Sequence, residues 1–256
     1  MQAIRNFFEE HGYYHARAVY SGDELEAMTA DFDRIVAQLR ASGEAIDASW
    51  GGPEMQKRRQ QGDVVLHTHN VQHYSAVWLR AMLHERFLRV ARALLGDDIV
   101  LHHSKLFYKP AEKGSPFPMH QDWSYFPSEK DTMLAAIIHI SDATDDMGCL
   151  RVYPGSHRLG RVADSYGQID SEVLAHYPLE GAQPVEAKAG DVLFFHYFTL
   201  HGSLPNRSPH VRKTVLVQMH AGDDCIEAGN AHPNEQLVLS GWNHRMTRSR
   251  ADRVKG

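Results

Sequence analysis

The first third of the chain has the apolar spacing of an amphipathic helix. From Leu25 to Leu39, apolar residues recur three or four positions apart and would share one helix face. Ser21 and Glu24 stand at the spacing of a capping box immediately before this run. Gly43 follows the run and is a typical stop signal. The pattern therefore predicts a helix that begins after Ser21 and ends at Gly43.

A second helix is predicted over about residues 76–95, where apolar positions again form one face and Gly96 ends the run. The stretch between the two helices, residues 42–75, is polar and is predicted to be a long loop. Long loops often serve as lids or binding segments, and a solvated connector is the alternative. Its basic cluster, Lys57-Arg58-Arg59, would belong to such a binding segment, with a solvated surface as the alternative.

The pattern changes from Ile99 onward. Short runs rich in β-branched and aromatic residues follow one another, separated by clusters of Gly, Pro, Asp and Ser. The predicted strands are Ile99–Tyr108, Met133–Ile140, Leu150–Tyr153, Asp191–His196 and Thr214–His220. Short strands separated by such turn-forming residues are typical of a β-sandwich or jelly roll. The predicted fold class is therefore mainly β, with N-terminal helices packed on the β core.

No linker, internal repeat or low-complexity tract divides the chain, and a length of 256 residues is common for a single β-sandwich or barrel domain. We expect one domain over residues 1–256. Its helical part is predicted over about 1–98, its β core over about 99–225 and a C-terminal extension over about 226–256.

Composition narrows the possible partners and location. No apolar run reaches the ~20 residues that span a bilayer, and the first residues lack the pattern of a secretory signal. The formal net charge of −5 argues against nucleic acid as a partner. Cys149 and Cys225 cannot make a disulfide framework, which favours a reducing cytoplasm. The unusual feature is the presence of 18 histidines.

Two segments contain candidate metal ligands. His120 and Asp122 are two residues apart, and on a strand such residues point to the same face, so that one ion could bind both. A hydrogen-bonded surface pair is the alternative for this spacing by itself. His201 ends an apolar, aromatic run and precedes Gly202, where it is well placed to be a third ligand. Two histidines and one carboxylate leave three metal positions open, as in non-heme Fe(II) oxygenases. Zinc is less natural here, because it favours a closed tetrahedron.

Arg212 is the candidate for binding an anion. It starts a predicted strand eleven residues after His201, and that strand should return beside the histidine. A guanidinium inside a β core needs an anionic partner and pairs with a carboxylate through two hydrogen bonds. A surface arginine in a salt bridge is the alternative.

Together these residues resemble the phytanoyl-CoA dioxygenase family of Fe(II)- and 2-oxoglutarate-dependent oxygenases. The resemblance covers roughly residues 100–225 well and the N-terminal helices only loosely. The segments that carry it, in order, are His120-Gln121-Asp122, Tyr125-Phe126-Pro127, Gly148-Cys149-Leu150, Pro154-Gly155-Ser156-His157, Gly190-Asp191-Val192-Leu193-Phe194-Phe195-His196, His201-Gly202-Ser203, Asn206 and Arg212-Lys213. Several motifs arriving in order are more specific than any one of them.

The resemblance implies a double-stranded β-helix, also described as a jelly-roll or cupin-like core. It implies that His120, Asp122 and His201 are the iron ligands, which are the catalytic centre. The 2-oxoglutarate site that it implies consists of Arg212 and Ser203 on the distal carboxylate, with Lys105 as a second cation. Hydroxylases of the family carry a tryptophan near the position of Ile137, so the wall of the cosubstrate pocket differs here.

The implied reaction consumes 2-oxoglutarate and O2, releases succinate and CO2, and hydroxylates an unactivated C–H bond. The small organic substrate could be an acyl-CoA, an amino acid derivative or a natural-product intermediate. Related halogenases lack the carboxylate ligand, so Asp122 favours hydroxylation over halogenation. Two alternatives remain. One is a cupin-like protein that binds a metal or a small acid without turnover. The other is a zinc hydrolase, ranked last because no general-base motif accompanies the ligands.

Overall fold

The computed structural model describes residues 1–44, 65–162, 169–228, 232 and 234–246. Its helices are α1 (Gln2–His11), α2 (Asp23–Ser42), α3 (Ala76–Met82), α4 (Glu85–Leu95) and α5 (Ser171–His176). Its strands are β1 (Tyr13–Ala16), β2 (Leu66–His69), β3 (Ile99–Lys109), β4 (Phe117–His120), β5 (Leu134–His139), β6 (Leu150–Val152), β7 (Gln183–Val185), β8 (Val192–His196), β9 (His201–Ser203), β10 (Arg212–Ala221) and β11 (Leu237–Ser240). None of the described helices is both long and apolar enough to span a bilayer.

The strands form two antiparallel sheets. The larger has seven strands in the order β1-β8-β5-β10-β3-β11, with β2 also paired to β3. The smaller has four strands in the order β4-β9-β6-β7. One face of the larger sheet packs with the N-terminal helices in the main core, where Phe32, Trp78 and Phe194 are fully buried. A second cluster, which includes Phe195 and Val152, joins the two sheets. The predicted β-sandwich with helices packed on it is confirmed.

The helix predictions hold with two corrections. Gly43 and Gly96 end their helices as predicted, with φ values of 74° and 91° that suit glycine. The capping box at Ser21 is wrong, because the N-cap is Gly22 and Glu24 instead forms ion pairs across to the start of α4. The second predicted helix is two helices, since the chain turns at His84, whose ring accepts a hydrogen bond from the next helix.

The five predicted strands are present, but the sequence pattern missed several short ones. Part of the predicted loop at 42–75 forms β2, which pairs along β3, and β1 adds another edge next to β8. Short edge strands lack a clear alternation: β2 contributes His67 and His69 to its inward face instead of apolar residues. Residues 45–64, which include Lys57-Arg58-Arg59, lie outside the described residues.

Candidate active site

His120 and His201 lie side by side between the two sheets. β4 and β9 are antiparallel neighbours in the smaller sheet, and their register places His120 directly opposite His201. Directly opposite residues in such a pair share one face, and the two imidazole centroids are 4.0 Å apart. Both rings are buried, and Phe195 of the larger sheet packs on His201 with 4.6 Å between centroids. The pairing thus joins two histidines that are far apart in sequence.

The hydrogen bonds of both imidazoles leave the same nitrogen facing the site. Nδ1 of His120 donates to the carbonyl of Pro118, and Nδ1 of His201 donates to the carbonyl of Thr199, each at 2.8 Å. A carbonyl can only accept, so in a neutral ring Nε2 carries a lone pair. Backbone carbonyls orient metal-binding histidines in this way in many proteins.

Asp122 completes a set of three donor atoms. Its Oδ1 lies 3.5 Å from Nε2 of His120 and 3.6 Å from Nε2 of His201. Two atoms that each bind one ion at about 2.1 Å can be at most about 4.2 Å apart, so these distances allow a shared ion. Among the described residues, these three side chains form the one group with metal-ligand spacing. Two imidazoles and one carboxylate suit ferrous iron.

Asp122 reaches the site from a turn rather than from a strand, which corrects the sequence prediction. β4 ends at His120, and Asp122 has helical backbone angles just before the short 3₁₀ helix Trp123–Tyr125. Its N–H donates to the carbonyl of Tyr197 at 2.9 Å, which holds the turn against the larger sheet. The other carboxylate oxygen, Oδ2, accepts from Nε2 of Gln218 at 2.7 Å. Gln218 therefore directs Oδ1 alone toward the two imidazoles.

The protonation states of His201 and Asp122 suit metal binding. Burial lowers the pKa of His201 to about 4, with a further contribution from His120, so the ring is neutral at physiological pH. Burial by itself would raise the pKa of Asp122. Positive charge on His201 or His120, whenever either ring is protonated, and on Lys105 outweighs burial and holds this pKa well below its usual range. A neutral ring and an ionised carboxylate are the forms that bind metal.

Gln218→Leu should lower the affinity for iron about 10- to 100-fold, the range found when partners that orient metal ligands are removed. Leucine fills similar space but cannot donate to Oδ2, so the Asp122 carboxylate can rotate. Fe(II) titration monitored by restored succinate formation would measure the change. Gln183→Leu, which removes a hydrogen bond to Tyr13 away from the site, is the matched control. Equal iron affinity in the two variants would contradict the role of Gln218.

A second polar site lies beside this triad and contains two buried cations. Arg212 on β10 is directly opposite Lys109 on β3, and the two side chains are 7% and 0% exposed. Nζ of Lys109 donates to Oγ of Ser203 at 2.9 Å and to the carbonyl of Leu204 at 2.5 Å. Burial lowers the pKa of Arg212 to about 10, and burial with the charge of Arg212 lowers the pKa of Lys109 well below its usual value.

No carboxylate among the described residues neutralises these two cations, and Nε of Arg212 is buried without a hydrogen-bond partner. An uncompensated buried charge is costly, so such a pair indicates a binding site for an anion. Ser203 follows His201 by two residues on β9 and therefore faces the same side, about 7 Å along the strand. The donor set thus fits a diacid that extends from the metal triad to Arg212.

Gly148 closes this site and must be a glycine. Its φ is +66°, and a Cβ there would lie 2.2 Å from the carbonyl of Leu204 and 2.7 Å from Nζ of Lys109. Its own carbonyl accepts hydrogen bonds from Nη1 of Arg212 and from Lys109. The adjacent Cys149 is a buried thiol, and burial raises its pKa to about 11. The close approach of Leu204 and Lys109 therefore explains why glycine occurs at position 148.

Lys105 does not occupy the place predicted for it, because the lysine beside Arg212 and Ser203 is Lys109. Lys105 lies opposite Leu216, four residues from Lys109 and about 13 Å away along β3. Both lysines point to the same side of the strand, so the residue type alone could not distinguish them. The distinguishing signal is the register of β3 against β10, which the sequence does not reveal.

Other positions singled out in the sequence have structural roles. The buried histidines His102, His103, His139 and His220 each have a ring nitrogen in a hydrogen bond, as expected for core histidines. His157 contacts the carbonyl of Glu9 in α1, away from the triad. Ile137, where related hydroxylases carry tryptophan, lies opposite Leu216 and packs between the sheets.

Comparison with known proteins gives the same picture. The phytanoyl-CoA dioxygenase family model matches residues 8–214. A protein of Stutzerimonas stutzeri named "Probable alpha-ketoglutarate-dependent hypophosphite dioxygenase" is 28% identical over 243 residues, which cover 90% of this chain and 82% of the relative. The crystal structure of EctD from S. alaskensis with 2-oxoglutarate and 5-hydroxyectoine is 26% identical, with a TM-score of 0.71 over 89% of this chain and 78% of that one.

A third similar protein is the epimerase SnoN, solved in complex with Fe3+, alpha ketoglutarate and nogalamycin RO. It matches with a TM-score of 0.74 and 20% identity over 93% of this chain and 98% of its own, a likeness of fold alone. The double-stranded β-helix core predicted from the motifs is therefore confirmed. The compounds named for these three proteins differ, so the family does not specify a substrate. The chain is a 2-oxoglutarate-dependent non-heme iron dioxygenase and belongs to the phytanoyl-CoA dioxygenase family.

Proposed function

We propose that the chain hydroxylates an unactivated C–H bond of a small organic substrate, with 2-oxoglutarate and O2 as cosubstrates and succinate and CO2 as products. One observation carries the proposal. The three donor atoms of the triad fit one ion, and next to them lie two buried cations, Arg212 and Lys109, that no carboxylate of the described residues neutralises. A protein that only bound a metal would not need Arg212 and Lys109 in the core, where unpaired charge destabilises the fold.

In this proposal His120, Asp122 and His201 hold Fe(II) through Nε2, Oδ1 and Nε2. Together they would supply three of the six ligands that ferrous iron binds in such sites, and the other three positions would be open to exogenous ligands. Gln218 keeps Oδ2 of Asp122 away from the metal, which preserves those open positions. Asp122 also fills the position that a halide would need, which favours hydroxylation over halogenation.

Arg212, Ser203 and Lys109 bind the distal carboxylate of 2-oxoglutarate in this proposal. The planar guanidinium offers two parallel donors, and the hydroxyl and ammonium offer further ones. Phe107 and Phe117 pack edge to face at 5.7 Å, and Nζ of Lys109 lies 5.7 Å from the centroid of Phe117. These rings keep water from the carboxylate, which strengthens its hydrogen bonds.

Bound iron supplies O2 activation coupled to the oxidative decarboxylation of 2-oxoglutarate. The chain itself positions the bound iron and cosubstrate and excludes water from the site. The two backbone carbonyls keep the imidazoles in one tautomer, and burial keeps His201 neutral. Phe195 packs against His201 and closes one side of the site to water.

The direct test is metal-dependent succinate formation. Protein stripped with EDTA and reloaded with Fe(II) should convert 2-oxoglutarate to succinate, and a screen of acyl-CoA esters, amino acid derivatives and natural-product intermediates should reveal the compound that stimulates it. The same protein loaded with Zn(II) should produce none, because zinc has no redox chemistry. Iron and 2-oxoglutarate binding with no succinate in any mixture would instead indicate a non-catalytic binding protein.

We further propose that the reaction takes place in the cytoplasm. Cys149 and Cys225 are both free thiols, which suits a reducing cytoplasm. We also retain the interpretation that the whole chain is one domain, since β1 near the start of the chain pairs with β8 of the larger sheet.

A further inference from the structure

Lys105 lies on the inner face of the larger sheet. In the proposed complex it binds neither the metal nor the distal carboxylate of 2-oxoglutarate. Residues 105, 107 and 109 of β3 point to one side, and Lys109 on that side contacts Ser203 of the smaller sheet. Lys105 is therefore turned toward the space between the sheets. Its only charged neighbour within the described residues is Asp122. Neither a hydrogen bond nor an ion pair joins Nζ of Lys105 to any described residue.

The side chains around Lys105 face the interior but are not fully buried. On the paired strand β2, His69 is directly opposite Lys105 and His67 is opposite Phe107. These four side chains point inward, yet each is partly exposed to solvent. Inward-facing residues that solvent can reach mark a pocket rather than a packed core.

The other polar groups of this pocket are neutral rings. Burial, with a further contribution from Lys105, lowers the pKa of His69 to about 4 and that of His103 well below its usual value. The rings of His103 and His232 are stacked with centroids 4.9 Å apart. Nε2 of His69 and Nε2 of His103 are buried without a hydrogen-bond partner in the described structure. Burial lowers the pKa of Lys105 to about 8 against the attraction of Asp122, which leaves it mostly protonated near neutral pH.

The charges of the proposed reaction complex leave Lys105 without a counter-charge. One protein carboxylate and the two carboxylates of 2-oxoglutarate supply three negative charges, whereas ferrous iron, Arg212 and Lys109 together carry four positive charges. Lys109 has its own hydrogen-bond partners, Ser203 and Leu204. The ammonium of Lys105 remains, and among the described residues its pocket offers imidazole nitrogens and no acidic group other than the metal ligand Asp122.

We infer that the primary substrate carries an oxyanion group, a carboxylate or a phosphonate, which Lys105 binds with His69 and His103 as hydrogen-bonding neighbours. The inference rests on the proposed function and names its substrate class. Because Lys105 and the metal ligand Asp122 interact electrostatically, the oxyanion would bind on the metal side of the sheet, near the carbon that reacts. A small acid meets this requirement, whereas a coenzyme A ester carries its charges far from its acyl carbons.

The experiment uses the visible charge-transfer band of the anaerobic Fe(II)·2-oxoglutarate complex of the full chain. The probes are pentanoate, butylphosphonate and the neutral pentanamide. At least one anion should perturb the band saturably, and the amide should bind at least about tenfold more weakly. Whichever anion binds more tightly identifies the type of oxyanion. Lys105→Met should weaken anion binding about tenfold or more, the scale of one lost charge-assisted hydrogen bond. Lys105→Arg should largely restore it.

Controls separate this inference from the proposed function. Lys213→Met alters a lysine on the opposite face of β10, where it pairs with Asp33, and should leave anion binding unchanged. Lys105→Met should bind 2-oxoglutarate like the parent protein and show an unchanged melting temperature. Equal binding of amide and anions, no response to any anion, or weaker 2-oxoglutarate binding in Lys105→Met would overturn the inference. Failure of the parent protein to form the band would overturn the proposed function itself.

Discussion

Asp122→Ala should abolish Fe(II)-dependent conversion of 2-oxoglutarate to succinate. The substitution removes Oδ1, the one anionic donor of the triad, and leaves only the two imidazole donors for a doubly charged ion. Loss of a group that merely orients a ligand costs about 10- to 100-fold in metal affinity or activity, so loss of the ligand should cost more than about 100-fold. Succinate formation at saturating 2-oxoglutarate, together with the iron content after gel filtration, would measure both consequences.

Asp223→Ala is the matched control for this variant. Asp223 is an exposed aspartate that pairs with Lys130, and its removal should change neither iron content nor turnover. His120→Ala should fail in the same way as Asp122→Ala, because it removes another of the three donors. Full activity and parental iron content in Asp122→Ala would exclude this carboxylate as a ligand.

Arg212→Ala should mainly raise the concentration of 2-oxoglutarate needed for half-maximal turnover. Removing one partner of a buried, hydrogen-bonded charge pair costs about 2–5 kcal/mol, which corresponds to roughly thirtyfold or more in affinity. The iron triad should stay intact, because no hydrogen bond joins Arg212 to any of its three side chains. Initial rates over a range of 2-oxoglutarate concentrations, at fixed Fe(II), would measure the effect.

Two variants sharpen the interpretation of Arg212→Ala. Arg212→Lys should be intermediate, since it keeps a charge but loses the planar pair of donors. Lys213→Ala, at the next position but facing the other side of the sheet, should need no more 2-oxoglutarate than the parent protein. An unchanged 2-oxoglutarate requirement in Arg212→Ala would remove this residue from the site.

The long elements of this fold were predictable because each has its own periodic pattern. The buried faces of α2 and α4 and the apolar runs of β3, β5, β8 and β10 are visible in the sequence. Most of the short strands were not, and β2 and β9 show the reason, because they have polar side chains on the face that points inward. A hydrophobic pattern cannot detect a strand whose inner face belongs to a functional site.

The same limit applies to Gln218 and Lys109, which the sequence analysis missed. Gln218 stands among apolar residues on a fully buried strand, and an isolated amide there was a usable signal for a buried partner. Lys109 had no such signal, because Lys105 is an equally plausible lysine on the same face of β3. Only the pairing of β3 with β10 distinguishes the two.

By itself, the sequence determined the chemical types and order of the groups: a His-x-Asp pair, a distant histidine and an arginine eleven residues after it. Residue type decides what can bind ferrous iron or a carboxylate, so these conclusions needed no coordinates. Tertiary structure alone decided which Asp122 oxygen faces the imidazoles, which lysine accompanies Arg212 and which lysine remains unpaired. Those choices depend on register between strands about a hundred residues apart, and register is set by packing of the whole sheet rather than by any local pattern.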